Sequence, residues 1–128
     1  NSDIPCVFER RYVTVLPEKL DLTAMKQAAA LLEGEHDFSA FCAAKGKKKS
    51  TVRQVYRIEI QRYGEELRFA FTGNGFLYNM VRIMVGTLLE VGRLERNPKS
   101  IPELFGAKRE QAGALVSACG LCLMEVEY

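Results

Sequence analysis

The sequence has a single histidine, four cysteines, almost no net charge and no uninterrupted apolar run of membrane-spanning length. Each scarcity excludes something. A structural zinc site needs two ligand pairs. Cys119-Gly-Leu-Cys122 has the spacing of one pair, but Cys6 and Cys42 stand alone and His36 has only Asp37 beside it, so no metal site is expected. The cysteines read as reduced and mostly buried, which favours the cytoplasm. A formal charge of +2 does not by itself argue for nucleic acid, so any such case must rest on where the charges lie. The longest apolar stretch, Phe76 to Val91, is broken by Asn79, Arg82 and Glu90 and is too short and too polar to span a bilayer. The opening residues, Asn1-Ser-Asp-Ile-Pro5, lack the basic and apolar regions of a signal peptide. They also lack an initiator Met, so the chain reads as a fragment or a processed product.

What is present is an ordinary globular composition, 48% hydrophobic and 27% charged over 128 residues. That is one domain, 1–128, large enough to bury about two-thirds of the surface of its unfolded chain. No repeat or low-complexity tract interrupts it. Arg11 to Leu16 is β-branched and aromatic and stops at Pro17, which predicts a strand. Asp21 is placed to cap a helix carrying Met25, Ala28, Ala29 and Leu32, with Gly34 placed to end it. Asp37 to Thr51 reads as a loop. Tyr56, Ile58 and Ile60 alternate with charged or polar neighbours, Gly64-Glu65 makes a turn, and Leu67, Phe69 and Phe71 alternate again, which predicts an antiparallel hairpin. After Gly73-Asn-Gly75, Phe76 to Val91 predicts a long buried helix ending at Gly92. Pro98–Leu104 and Lys108–Leu115 suggest short helices, and Leu121–Tyr128 a last strand. Strand, helix, two strands, helix, strand is the split βαβ order, so the expected class is α+β, an antiparallel sheet with helices packed on one face.

The chemistry-bearing feature is the polar stripe on the long helix. At 100° per residue, positions 79, 82, 86 and 90 fall within about 80° of each other. Asn79, Arg82, Gly86 and Glu90 therefore share one face of an otherwise apolar helix, with Gly86 leaving room beside the guanidinium. A buried arginine needs a partner. Glu90 lies roughly 12 Å along the axis, too far to be that partner. The partner is then another element, another chain or a ligand phosphate, each of which suits the guanidinium fork. The plain alternative is a structural arginine that snorkels to the surface. A second feature is a basic run: Lys45, Lys47, Lys48, Lys49 and Arg53 follow one another without an acid. It reads as a phosphate-contacting loop or as a solvated one. Phe38 and Phe41 flank it and are read as core rather than as stacking platforms.

The segment Gly73-Asn-Gly-Phe-Leu-Tyr-Asn-Met-Val-Arg-Ile-Met-Val-Gly-Thr-Leu-Leu-Glu-Val-Gly92 resembles the signature of the TruA family of tRNA pseudouridine synthases. Leu20-Asp21 with Met25, Gly34-Glu-His-Asp-Phe-Ser-Ala-Phe41, Thr51-Val-Arg53, Ala112-Gly113 and Gly120-Leu-Cys-Leu-Met-Glu-Val-Glu-Tyr128 match at the expected spacing, so the resemblance covers nearly the whole chain. It implies the C-terminal half of a cofactor-free isomerase that converts uridine to pseudouridine in the anticodon arm of tRNA, working as a homodimer. The family's nucleophile is an Asp in an Arg-Thr-Asp motif, which this sequence does not contain, so the chain alone is expected to be inactive. The resemblance makes Arg82 the partner of that absent Asp and assigns Leu121 of the Gly-Leu-x-Leu motif to the pocket for the base. Asn79 is read as a further substrate-binding residue, and the basic run Lys45, Lys47, Lys48, Lys49 and Arg53 as the RNA-binding one. Without the resemblance, Leu121 is an ordinary core leucine. Two rivals remain: an RNA-recognition module, although Leu67-Arg-Phe-Ala-Phe71 lacks that module's aromatic motif, and a relative that binds tRNA without catalysis. A third reading is purely structural, an isolated half that self-associates through an exposed sheet edge.

Overall fold

The computed structural model describes residues 7–15, 19–42, 50–77, 79–107, 109, 112–113 and 121–122. Strand β1 (Phe8–Val15) is followed by helix α1 (Leu22–Leu32), strands β2 (Gly34–Asp37), β3 (Val52–Tyr63) and β4 (Glu66–Gly73), helix α2 (Met80–Gly92) and strand β5 (Leu121–Cys122). Short 3-10 turns cover Ser39–Phe41 and Pro98–Leu104. The five strands form one antiparallel sheet in the order β2-β3-β4-β1-β5. With β2 set aside, the order is that of the split βαβ fold, as the sequence predicts.

The core follows from period-2 and period-3.6 patterning. Leu67, Phe69 and Phe71 of β4, Ile58 and Ile60 of β3 and Tyr12 of β1 are buried on one sheet face. Against that face lie Met25, Ala28, Ala29 and Leu32 of α1 and the apolar residues of α2. Full burial of each large side chain contributes about 1.5–3 kcal/mol. The Asp21 carboxylate caps α1 by accepting from Ala24 N at 3.0 Å, and its own N–H donates to Gly92 O at 2.9 Å, tying the start of α1 to the end of α2. Phe38 and Phe41 are fully buried, which bears out their reading as core.

Three expectations are corrected. Gly34–Asp37, read as the end of a helix and the start of a loop, is an edge strand paired with Val52–Val55, so β3 begins earlier than Val55. Tyr56, read as inward, is 39% exposed, while Val55 is buried. The cause is a bulge between Val55 and Arg57, because one extra residue reverses the alternation. There Glu33 Oε2 accepts from Ile58 N at 2.8 Å, a side chain replacing a strand partner. Helix α2 begins at Met80 rather than Phe76. The backbone of α2 at Gly86 and Thr87 is approached closely by Gly113, where a Cβ would lie 2.8 Å from the Gly86 carbonyl carbon.

Other expectations meet the described residues only in part. Pro98–Leu104 forms a turn of 3-10 type. Of the Lys108–Leu115 helix only Arg109, Ala112 and Gly113 are described, and of the last strand only Leu121 and Cys122. Leu16, Pro17, Lys45, Lys47, Lys48, Lys49, Cys6 and Cys119 lie outside the described residues. Cys42 is buried and free.

The segment carrying those lysines is closed at its base. Phe38 N donates to Thr51 O at 3.0 Å. Asp37 Oδ1 accepts from Ser39 N at 3.1 Å and from the Thr51 hydroxyl.

Candidate functional site

The connection from β4 to α2 meets two of the charged residues singled out above, Arg53 and Arg82. It starts where Gly73 crosses β3. A Cβ there would sit 2.7 Å from Gln54 O, a backbone atom with no freedom to retreat, so only glycine fits. Asn74 then binds Gln54 twice, its Oδ1 accepting from Gln54 N and its N donating to Gln54 O, both at 2.9 Å. Arg53 lies over the next residue, its Nε 3.6 Å from where a Cβ of Gly75 would be. Arg53 also donates from Nη1 to Ser50 O and Val52 O, at 3.0 and 2.8 Å. The Arg10 guanidinium sits 5.8 Å from the centroid of the Phe76 ring. Leu77 is buried, and its carbonyl accepts from Met80 N at 3.0 Å.

The connection ends at Asn79, whose φ is 61°. This left-handed residue is why the helix starts at Met80: it turns the chain into α2, and its carbonyl accepts the helix bond from Ile83 N at 3.0 Å. Its Oδ1 accepts from Arg82 Nη1 at 3.1 Å. Arg82 thus stands on the first turn of a thirteen-residue helix with no acid in that turn. The guanidinium and the positive end of the helix dipole both favour an anion there. Glu90, the far end of the predicted stripe, is engaged elsewhere, 2.8 Å from Arg96.

The fold therefore joins Asn79 to Arg82, and Arg53 to the same connection. Leu121 lies two strands from β4, opposite Tyr12, about 10 Å across the sheet. The roles of Gln54, Asn74 and Arg10 were not read from the sequence. Asn between two glycines was the available signal for Asn74; no sequence pattern pointed to Arg10 or Gln54.

Among the described residues the helix-free sheet face does not offer a basic footprint. A shallow cavity there, about 600 Å³, is lined by Arg11, Val13, Gln61, Tyr63 and Arg68, among others. Its two arginines are matched by acids, Arg11 by Glu9 and Arg68 by Glu66, and Arg57 nearby on β3 pairs with Glu59. Among the described residues no cluster of His, Cys, Asp and Glu could hold a metal. No described helix is long and apolar enough to cross a membrane.

The two aspartates in the described region are committed locally, Asp21 to the cap of α1 and Asp37 to the Ser39 and Thr51 turn. Neither is placed as a free nucleophile.

Comparison with known proteins bears directly on this arrangement. Residues 28–128 match the family model described as tRNA pseudouridine synthase. The tRNA pseudouridine synthase A of Brevibacillus brevis is 47% identical over 129 aligned residues, covering 100% of this chain and 53% of the relative. The tRNA pseudouridine synthase A 1 of Bacillus cereus is 48% identical over 123 residues, covering 95% and 50%. The tRNA pseudouridine synthase A of Moorella thermoacetica is 47% identical over 129 residues, covering 100% and 52%. The chain spans about half the length of the curated relatives it matches.

Proposed function

We propose, since the chain belongs to the tRNA pseudouridine synthase family, that residues 1–128 are the C-terminal domain of an enzyme isomerising uridine to pseudouridine in the anticodon arm of tRNA. The observation that supports this most is Arg82, held on the first turn of α2 where a carboxylate would be welcome.

The reaction breaks the bond between N1 of uracil and C1′ and forms one between C5 and C1′. N1 gains a proton and the hydrogen on C5 is released. A stacked base cannot turn over in this way, so the nucleotide must leave the helix and enter a pocket. A nucleophilic aspartate, supplied by the half of the enzyme outside this chain, attacks the sugar or the ring. By either route Arg82 keeps that carboxylate ionised and oriented. Leu121 belongs to the pocket that holds the detached base. Lys45, Lys47, Lys48, Lys49 and Arg53 contact tRNA phosphates. The working enzyme is a cytoplasmic homodimer and needs no cofactor.

Tritium release from tRNA labelled at C5 of uridine tests the assignment. Residues 1–128 alone should release none, and the chain joined to the half proposed to carry the aspartate should release it. Release by residues 1–128 alone would place the nucleophile within them. No release by the joined protein, with tRNA still bound, would favour the binding-module reading.

The phosphate contacts have their own test. Replacing Lys47, Lys48 and Lys49 together by alanine should flatten the salt dependence of tRNA binding, by roughly 0.7–0.9 in slope for each phosphate that is no longer neutralised. An unchanged slope would remove these lysines from the interface.

A further inference from the structure

Asn79 combines two features that rarely meet. Its backbone is left-handed, a conformation that Asn, Asp and Gly tolerate and most other residues resist. An asparagine before a helix ordinarily turns its side-chain oxygen onto the free N–H groups of the first turn. Asn79 makes no such capping bond. Its oxygen goes to Arg82 Nη1 instead, at 3.1 Å. The chain leading to it is fixed at Gly73 by a close crossing and at Asn74 by two bonds to Gln54. The left-handed backbone at Asn79 itself sets how its side chain leaves the turn.

An arginine side chain has four rotatable bonds and loses much freedom when held. Catalysis by a charged pair requires that freedom to be removed before the substrate arrives.

We infer that Asn79 is a positioning residue for Arg82: the left-handed turn aims its amide oxygen at the guanidinium, which it holds facing the nucleophilic carboxylate. This rests on the reading of Arg82 given above. It has Asn79 act through Arg82 instead of by touching the base.

Two variants separate backbone from side chain. N79G keeps the turn and removes the oxygen, while N79D keeps both. The first readout is rotation of the Arg82 guanidinium by nitrogen NMR in residues 1–128. The second is kcat and KM for tritium release in the full-length protein. N79G should speed the rotation about tenfold, and N79D should return it to the parent rate. N79G should also lower kcat about tenfold with KM unchanged. Parent-like rotation and kcat in N79G would overturn the inference. So would a raised KM at constant kcat, which would make Asn79 a direct substrate contact. Should Arg82→Ala leave kcat unaltered, the catalytic reading fails, and the rotation measurement alone decides whether Asn79 holds Arg82.

Discussion

Arg82→Ala in the full-length enzyme is expected to lower kcat for pseudouridine formation by about 10²–10³, while tRNA affinity stays within about twofold. The asymmetry follows from where the residue sits. Arg82 is partly buried on the first turn of α2 and bonded to Asn79. Many phosphate contacts spread over a tRNA would supply affinity, so one internal guanidinium adds little to it. Its value lies in charge that develops during the reaction, and an interaction stronger in the transition state than in the ground state appears in kcat. Arg82→Lys should recover only part of the loss, because an ammonium lacks the planar fork that holds Asn79 and a carboxylate together. Single-turnover tritium release with filter binding on the same samples separates the two quantities. Parallel losses in rate and affinity would make Arg82 a tRNA contact, and an unchanged kcat would remove it from the chemistry.

Gly113→Ala should destabilise the fold by about 2–3 kcal/mol, measured as a shift in urea midpoint. A Cβ at Gly113 would lie 2.6 Å from both Cα and N of Thr87 and 2.8 Å from the carbonyl carbon of Gly86. All three are backbone atoms of α2, so relief requires the two segments to part. Parting them breaks a relay of hydrogen bonds. Gly113 N donates to Thr87 Oγ1 at 2.8 Å, and that fully buried hydroxyl donates to Ile83 O at 2.9 Å. Arg109 Nη1 holds the Gly113 carbonyl at 2.9 Å. Gly64→Ala is the contrast. Its φ is +62° but nothing lies within 4 Å of a Cβ there, so only backbone strain of about 1 kcal/mol is expected. Equal midpoint shifts in the two variants would mean that the close crossing contributes nothing.

Much of this architecture was legible because it is local. Leu67, Phe69 and Phe71 announce β4 by alternation, and Asp21 announces α1 by its place before Met25 and Ala28. Arg82 was legible because a lone arginine inside an apolar helix demands an explanation. What escaped depends on partners far away in the chain. The phase slip at Val55 and Tyr56 is stabilised by Glu33, which accepts from the N–H of Ile58, 25 residues later. Strand β2 is Gly-Glu-His-Asp, with no strand propensity of its own, and it forms because β3 offers an open edge. Phe76 and Leu77 continue the helical apolar pattern. Even so, the Asn74 bonds to Gln54 and the left-handed Asn79 delay the helix to Met80. The bond between Asn79 and Arg82 was hidden for the same reason, since it follows from a backbone angle.

The clasp formed by Asp37, Phe38 and Thr51 makes the reach of the molecule modular. The chain entering and leaving residues 43–49 is pinned by bonds that involve none of those residues. What lies between Cys42 and Ser50 can then change in length or composition without disturbing the sheet, since the cost of closing a segment grows only slowly with its length. Lineages are free to insert or delete residues at this point. A protein engineer has the same freedom to graft a foreign peptide there.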